Sequence, residues 1–250
     1  MKKDLAGNVV LVTGGGGTKG LKLAERLTSD GAEVILSDID LAGARSNASA
    51  LGTRVRAVGL DVTDEKAWTA AVGQIERDHG RLDILVNSAR IHTRNSDLAA
   101  TSLESWRSQL SVNLDGAFLG IKHCLPLLRK SGAGSIINVV SLSAVAPFAP
   151  TPAYSASHAA LLNLTKTAAV NCARAGERIR VNAVICGMSS NSPVGEVMEV
   201  ARRLVPLGRP AVAEEIADAI AWLASNEARY ITGTSITLDG GYSAEGMPGA

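Results

Sequence analysis

Residues 9–20, VVLVTGGGGTKG, decide the fold. Val9–Thr13 is a short apolar run typical of a buried strand, and a helix is expected from about Leu21. Glycines between a strand and a helix let the backbone turn tightly and let a phosphate approach the positive N-terminal end of the helix. Three of them match the spacing G-x-G-x-x-G: Gly15, Gly17 and Gly20. This context predicts a dinucleotide site, and a purely structural tight turn is the alternative.

Asp38 ends the next apolar run, 18 residues after Gly20. A carboxylate at that place accepts hydrogen bonds from the adenosine ribose and repels a 2′-phosphate. Asp38 therefore favours NAD over NADP, and a helix-capping aspartate is the alternative.

Six further apolar runs alternate with segments of helical period, which is the pattern of parallel strands covered on both faces. The seven predicted strands are Val9–Thr13, Glu33–Ser37, Arg54–Leu60, Leu82–Asn87, Ser135–Val140, Ile179–Val184 and Ser235–Leu238. The alternation predicts one α/β domain over residues 1–250, a doubly wound parallel sheet of the Rossmann type with helices on both faces. Residues 187–206 form the least regular long connection and are a candidate lid.

The composition excludes several classes of protein. With 25 Lys and Arg against 24 Asp and Glu, the net charge is +1, and nucleic-acid or membrane-surface binding would call for a basic excess. No apolar run approaches the roughly 20 residues that span a bilayer, and no apolar segment follows Met1 as a secretory signal would. Three scattered cysteines without metal-ligand spacing indicate reduced thiols, a cytoplasmic location and no metal site.

Motifs along essentially the whole chain resemble those of the short-chain dehydrogenase/reductase family. Thr13–Gly20 resembles its T-G-x-x-x-G-x-G motif, and residues 87–90 (NSAR) resemble its N-N-A-G motif. Residues 206–209 (PLGR), 231–233 (ITG) and 239–241 (DGG) resemble its C-terminal signatures. The cofactor-binding residues that the resemblance implies are Gly14, Gly17, Thr18, Lys19, Gly20, Asp38, Asp61, Val62, Asn87, Ala89, Arg90 and Gly187.

The resemblance also implies the catalytic residues. Tyr154 matches the tyrosine that exchanges a proton with the substrate oxygen while hydride moves to or from the nicotinamide. Ser141 matches the serine that polarises that oxygen, and Asn113 matches the asparagine that holds a water in the proton relay. A free tyrosine has a pKa of about 10, so it needs a nearby positive charge to act as a base near neutrality. The family supplies the charge with a lysine four residues after the tyrosine, on the same helix face.

Here that position is His158. A histidinium would stabilise a tyrosinate, but a free histidine is charged only below about pH 6.5, and its ring is shorter than a lysine side chain. Lys166 is no replacement, because it lies roughly 18 Å farther along the helix. His158 is therefore either a working substitute or a polar filler, and the sequence leaves both open.

Four more departures from the family pattern fall on the predicted crevice. Thr18 replaces a glycine, and Gly17 takes over its role if the turn is shifted by one residue. Lys19 replaces an apolar residue, and Arg90 replaces the last glycine of N-N-A-G. Arg90 either obstructs the cofactor or pairs with the pyrophosphate together with Lys19. Cys186 replaces a proline and is interpreted as a small packed side chain rather than a nucleophile.

Two functional hypotheses follow. The first is an NAD(H)-dependent oxidoreductase, with weak or pH-shifted activity, that acts on a secondary alcohol or ketone as its small-molecule substrate. The second is a relative of that family with altered or lost redox activity, either a non-redox isomerase, lyase or cyclase or a binding subunit. The resemblance implies a homo-oligomer, a tetramer or dimer, formed through helices near 103–130 and 152–175. A purely structural interaction protein has no support beyond that.

Overall fold

The apolar runs of the sequence form one continuous parallel sheet. The computed structural model describes residues 4–93, 97–190 and 195–245, and within these ranges seven strands pair in the order β3-β2-β1-β4-β5-β6-β7. Every pairing is parallel. The strands are β1 (Val9–Thr13), β2 (Glu33–Asp38), β3 (Val55–Gly59), β4 (Ile84–Asn87), β5 (Gly134–Ser141), β6 (Ile179–Cys186) and β7 (Ser235–Leu238). The predicted doubly wound α/β fold is confirmed, with its switch point between β1 and β4.

Helices cover both faces of this sheet. On one face, a hydrophobic cluster joins the sheet to α1 (Thr18–Ser29), α2 (Leu41–Leu51) and α8 (Ala213–Ala224). On the other face, a second cluster joins it to α3 (Glu65–His79), α5 (Gly116–Ser131) and α6 (Pro152–Arg174). Alternate side chains of β1 divide between the two clusters, as expected of a strand buried on both faces. Helix α4 (Leu103–Leu110) runs through a π-helical turn, Ser111–Asp115, into α5.

Two central strands extend beyond their predicted ends. The predicted runs Ser135–Val140 and Ile179–Val184 continue to Ser141 and Cys186, because these two residues pair with each other across β5 and β6. The extension places both side chains at the carboxyl edge of the sheet, where open α/β sheets bind their ligands.

Two other predicted strands are shorter in the structure. Arg54–Leu60 shortens to Val55–Gly59, and Leu82–Asn87 shortens to Ile84–Asn87. The Leu82 amide donates to the carbonyl of Leu127 in α5 instead of to a strand.

Helix α1 begins three residues earlier than predicted. Gly17 holds the extended backbone of an N-cap (φ −89°, ψ 174°), and the helix starts at Thr18 rather than near Leu21. Lys19 and Gly20 therefore belong to the first helical turn.

The predicted irregular segment 187–206 contains helix α7 (Glu196–Leu204), and the prediction of irregularity was wrong for these nine residues. Ala201 is the buried residue that attaches this helix to the protein. Residues 191–194 lie outside the described residues. Before them, Ser189 forms an isolated parallel bridge with Ala211.

Candidate active site

The predicted site residues meet in a crevice at the carboxyl edge of the sheet. The glycine-rich turn follows β1, Asp38 ends β2, Asn87 ends β4, and residues 88–90 follow it. Ser141 ends β5 and Cys186 ends β6. Because β1 lies beside β4 in the sheet, the turn and residues 88–90 lie on either side of the switch point.

Packing within the protein explains three of the glycines in the turn. A Cβ at Gly14 would lie 2.9 Å from the Cα of Ala89, and one at Gly15 would lie 2.8 Å from the Cβ of Leu36. A Cβ at Gly20 would lie 2.6 Å from the Cα of Gly15. Gly17 differs, because a Cβ there meets nothing within 4 Å. Gly14, Gly15 and Gly20 therefore have a structural role, because they keep the turn tight. Gly17 leaves the outer side of the turn open.

This difference gives a matched pair of variants. We expect Gly20→Ala to destabilise the fold by about 1–3 kcal/mol, because the added methyl group must push backbone apart in a packed turn. Gly17→Ala has room and an ordinary φ, so we expect a change within about 0.5 kcal/mol. Urea denaturation measures both. Equal losses of stability in the two variants would contradict this description of the turn.

The N-terminus of α1 is open to an anion. Its first intrahelical bond runs from the Leu21 amide to the Gly17 carbonyl, and Gly17 provides no side-chain cap. Within the described residues, the amides of Thr18, Lys19 and Gly20 therefore have no bonding partner. Such amides, with the positive end of the helix dipole, suit a phosphate group.

Asp38 is fixed beside this turn by backbone hydrogen bonds. One carboxylate oxygen, Oδ2, accepts from the Gly16 amide at 2.8 Å, and Oδ1 accepts from the Asp40 amide at 2.9 Å. The side chain is half-buried, and each oxygen has a further lone pair for a ligand hydroxyl. The capping of α2 falls instead to Asp40, whose carboxylate accepts from the Gly43 amide.

Other polar residues order the crevice and were not predicted as site residues. The Thr13 hydroxyl accepts from the amides of Ser88 and Ala89 at 3.0 and 3.1 Å, which ties the end of β1 to the segment after β4. Asn47 donates from Nδ2 to the carbonyls of Gly15 (2.8 Å) and Gly17 (3.2 Å). Thr13 was visible within the T-G motif, whereas no pattern in the sequence points to Asn47.

Asp61 and Val62 follow β3 and precede α3. The Asp61 carboxylate is engaged locally by the amide and hydroxyl of Thr63. The Val62 carbonyl accepts from the indole of Trp68 at 2.9 Å, and its side chain lines a pocket in the crevice.

Tyr154 lies in the first turn of α6, between two histidine rings. Its ring centroid is 4.4 Å from that of His158, one turn along the same helix, and 4.6 Å from that of His92. Both contacts are edge-to-face. The spacing of four residues thus does bring the side chain at position 158 against the tyrosine, as predicted.

His158 is buried and uncharged near neutrality. It is 1 % exposed, and its Nδ1 accepts a hydrogen bond from the backbone amide of Ser141 at 3.3 Å. Since an amide can only donate, the neutral ring carries its proton on Nε2. Burial, and then the positive charges of Arg90 and His92, lower the pKa of His158 to about 3.

A small pocket lies beside this ring and is lined by Thr13, Asn87, Asn113 and His158, among others. Two buried polar atoms at the pocket, His158 Nε2 and Asn87 Oδ1, have no hydrogen-bond partner among the described residues. The amide nitrogen of Asn87 is bonded and donates to Asn138 Oδ1 at 2.9 Å. The pocket therefore offers one donor and one acceptor to a bound molecule.

Ser141 stands where β5 ends, as predicted. Its hydroxyl oxygen accepts from the amide and the hydroxyl of Ser143, at 3.2 and 3.0 Å. Its own proton remains available to a substrate oxygen. The serine and the tyrosine are linked through His158, which bonds the Ser141 backbone and contacts the Tyr154 ring.

Asn113 lies in the π-helical turn and is 2 % exposed. Its Oδ1 accepts from the Ile91 amide at 2.8 Å, and its Nδ2 donates to the Ile91 carbonyl and to Ser157 Oγ, both at 3.1 Å. Both amide protons are thus used to hold the segment after β4 against α6. Ser157, which sequence reasoning missed, completes this connection.

A second small pocket lies on the α1 and α8 side of the crevice. Its polar lining comprises Lys19, Ser88, Arg90 and Cys186, and the rest is apolar. Three departures from the family pattern therefore share one pocket. The fourth, Thr18, is exposed on the outer side of the turn.

Gly187 is held against β7. A Cβ there would lie 2.8 Å from the Cα of Asp239, so only glycine fits this approach.

Two features are absent from the described residues. These residues contain no group of three or more His, Cys, Asp or Glu side chains placed to hold a metal ion. No helix within residues 4–93, 97–190 and 195–245 is long and apolar enough to cross a membrane.

Comparison with known proteins agrees with this geometry. A family model described as enoyl-(acyl carrier protein) reductase matches residues 19–243. The chain is 35 % identical to trans-4-hydroxycyclohexanecarboxylate dehydrogenase of Sinomonas cyclohexanicum, over 96 % of this chain and 94 % of that protein. It is 34 % identical to 3-beta-hydroxysteroid dehydrogenase of Comamonas testosteroni, over 99 % of this chain and 100 % of that protein.

A solved structure extends the similarity to three dimensions. The crystal structure of a short-chain dehydrogenase/reductase of the glucose/ribitol dehydrogenase type from Brucella melitensis superimposes with a TM-score of 0.88 at 29 % identity. The match covers 97 % of this chain and 99 % of that one. On the combined evidence of the family model, the relatives and the fold, the chain belongs to the short-chain dehydrogenase/reductase family.

Proposed function

We propose that the protein is an NAD(H)-dependent oxidoreductase that interconverts a cyclic secondary alcohol and its ketone. The observation that carries the proposal is the position of Tyr154 and Ser141 in one crevice, linked through His158, beside an open helix N-terminus. The names of the relatives support the substrate class, since they describe dehydrogenases of a hydroxycyclohexanecarboxylate and of a hydroxysteroid.

The residues of the crevice fit a dinucleotide. The free amides of the first turn of α1 suit the pyrophosphate, and the carboxylate of Asp38 suits the ribose hydroxyls. A bound nicotinamide would supply the hydride acceptor for oxidation of the alcohol and the hydride donor for reduction of the ketone. Gly14, Asn87, Ala89 and Gly187 shape the rest of the binding surface, with Val62 on the adenine side.

The protein residues handle the proton. In the oxidation direction, the Ser141 hydroxyl donates a hydrogen bond to the alcohol oxygen and orients it. The Tyr154 phenolate removes the O–H proton as the C–H bond breaks, so the alcohol loses one proton and one hydride and becomes the ketone. Asn113 acts as a positioning residue, because its side chain holds the segment after β4 against α6.

In this proposal, His158 orients the Ser141 backbone and the Tyr154 ring as a neutral side chain. It does not supply the charge that lysine supplies in the family, because its pKa of about 3 leaves it uncharged at working pH. Turnover near neutrality should accordingly be weak.

His158→Lys tests this reading of the site. A lysine would bring a positive charge next to Tyr154 and reach the pocket beside Asn87 Oδ1, whose lone pairs would accept from the ammonium. We expect kcat near pH 7 to rise at least tenfold. His158→Met, which fills the space without charge, is the control and should not raise kcat. A drop in kcat with lysine would assign His158 a specific role of its own.

Asp38 should set the preference between the two nicotinamide cofactors. Asp38→Asn keeps the shape and removes the charge that repels a 2′-phosphate, so we expect the ratio of kcat/KM for NADPH to that for NADH to rise at least tenfold. Asp40→Asn, an exposed carboxylate two residues on, is the matched control. Equal shifts in both variants would mean that general surface charge, not Asp38, decides the preference.

Three further properties belong to the proposal. Residues 187–206 serve as a lid over the substrate. The protein is cytoplasmic. Identical chains associate through the faces of α5 and α6, where Phe118 and Val170 are about half exposed.

The experiment that tests the proposed function is an assay of nicotinamide reduction. Cis- and trans-4-hydroxycyclohexanecarboxylate, a 3-hydroxysteroid and cyclohexanol are supplied with NAD⁺ or NADP⁺. We expect saturable formation of NADH with at least one of them. Formation of no reduced cofactor from any of them, and no oxidation of NADH with the corresponding ketones, would contradict it.

A further inference from the structure

The second pocket is lined by two basic side chains and, among the described residues, by no acidic one. Lys19, from the first turn of α1, and Arg90, from the segment after β4, both line it and are half-buried. Within the described residues, neither forms an ion pair with a carboxylate; Lys19 donates instead to Ser189 Oγ at 2.7 Å. Burial, and next the charge of Arg90, lower the pKa of Lys19.

The neighbouring lysine of α1 has a different environment. Lys22 lies one turn on and bonds two carboxylates, Glu25 at 2.9 Å and Glu214 at 3.3 Å. Lys19 and Arg90 repel each other without such compensation, and burial removes part of their hydration. Unpaired like charges held together at a pocket indicate a site that is complete only with an anion.

The other polar groups of the pocket do not cancel the charge. Burial raises the pKa of Cys186, so its thiol is uncharged near neutrality. Ser189 lies beside this lining through its bond with Lys19; its hydroxyl accepts from Lys19 and keeps its own proton to donate. The open amides of the first turn of α1 lie next to Lys19 and add the positive end of the helix dipole.

We propose that Lys19 and Arg90 together form a binding site for an oxyanion, a phosphate or carboxylate group, at the mouth of the crevice. The guanidinium of Arg90 can hold two of the oxygens in parallel, and the ammonium of Lys19 binds as a point charge. The Ser189 hydroxyl is the third donor. That the pyrophosphate of a dinucleotide occupies this site rests on the proposed function. That the site binds an oxyanion does not.

The test is calorimetric titration of the full-length protein with ADP, adenosine, inorganic phosphate and cyclohexanecarboxylate. The variants are Lys19→Met and Arg90→Gln, and Lys22→Met is the matched control on the same helix. We expect at least one of the three oxyanions to bind, and its Kd to rise at least tenfold in each of the first two variants. The control variant should change the Kd of that oxyanion less than twofold. Adenosine has no oxyanion, so its affinity should be the same in all three variants.

The arms distinguish the sources of the oxyanion. If ADP binds and its binding depends on both Lys19 and Arg90, the site is assigned to a pyrophosphate. If only cyclohexanecarboxylate binds, with the same dependence on both residues, the site is assigned to an acidic substrate. Oxyanion affinities that are the same in the parent protein and in both variants would overturn the proposal, even if the enzyme turns over NADH. So would the failure of ADP, phosphate and cyclohexanecarboxylate to bind the parent protein.

Thermal unfolding shows whether each variant folds. Without ligand, Lys19→Met should be at least as stable as the parent protein, because it removes a repulsion. Whichever of ADP, phosphate and cyclohexanecarboxylate binds should raise the Tm of the parent but not of this variant. A phosphate-induced rise of equal size in both would also contradict the proposal.

Discussion

Replacing Tyr154 by phenylalanine is expected to lower kcat by about 10²- to 10⁴-fold, the usual contribution of a positioned proton donor or acceptor. The phenol is the group that exchanges a proton with the substrate oxygen in the proposed mechanism. The substitution leaves the ring in contact with His92 and His158, so the packing of α6 should not change. The rate is measured with the best substrate at saturating cofactor.

Two controls make this prediction specific. The Tm and the Kd for NADH should be unchanged, because the phenol contributes to neither in this description. Ser143→Ala is a matched removal of a hydroxyl near the same site, and we expect a much smaller loss, since the Ser143 hydroxyl donates to Ser141 and has no role in the proposed proton transfer. A Tyr154→Phe variant that retains more than a tenth of the parent kcat would show that another group carries the proton.

His158 should make the native fold sensitive to acid, and the size of the effect is large for one side chain. The ring stays neutral in the native state down to about pH 3, whereas in the unfolded chain it takes up a proton near pH 6.5. Between these values the unfolded state binds more protons, so stability is lost as the pH falls. Each pH unit below 6.5 costs about 1.4 kcal/mol, and the loss at pH 4.5 is therefore about 2–3 kcal/mol.

His158→Gln should remove this dependence. The measurement is the free energy of unfolding by urea at several pH values between 8 and 4.5, for both proteins. At pH 8 both side chains are neutral, so the difference there reports only packing and serves as the baseline. Between pH 8 and pH 4.5, we expect the free energy of unfolding of the parent protein to fall by about 2–3 kcal/mol more than that of the variant. Parallel curves would mean that His158 is protonated in the native state and that the account of its charge is wrong.

The sequence predicts much of the fold because the apolar runs and the glycine-rich turn are local signals. Val9–Thr13 needed only its composition to be recognised as a strand, and each of the other six predicted strands overlaps an observed one. The start of α1 was placed too late, since four consecutive glycines hide which of them is the N-cap. Helix α7 was missed, because short amphipathic helices with a single buried residue give a weak pattern.

The arrangement of the site depends on contacts that no local pattern shows. Lys19 and Arg90 follow β1 and β4, Cys186 ends β6, and only the strand order brings the three to one pocket. The burial of His158 and its bond to the Ser141 amide likewise depend on how α6 packs against β5. The family motifs located the residue at position 158, and the structure was needed to find that its ring is neutral.

The most direct test of the account is titration of the purified protein with NADH, followed by the change in fluorescence of the reduced nicotinamide. We predict saturable binding of one NADH per chain, competed by NAD⁺ and ADP-ribose, even though a neutral imidazole replaces the lysine of the family. The absence of saturable binding at millimolar NADH, and equally of NADPH, would contradict the claim that a dinucleotide lies across this crevice.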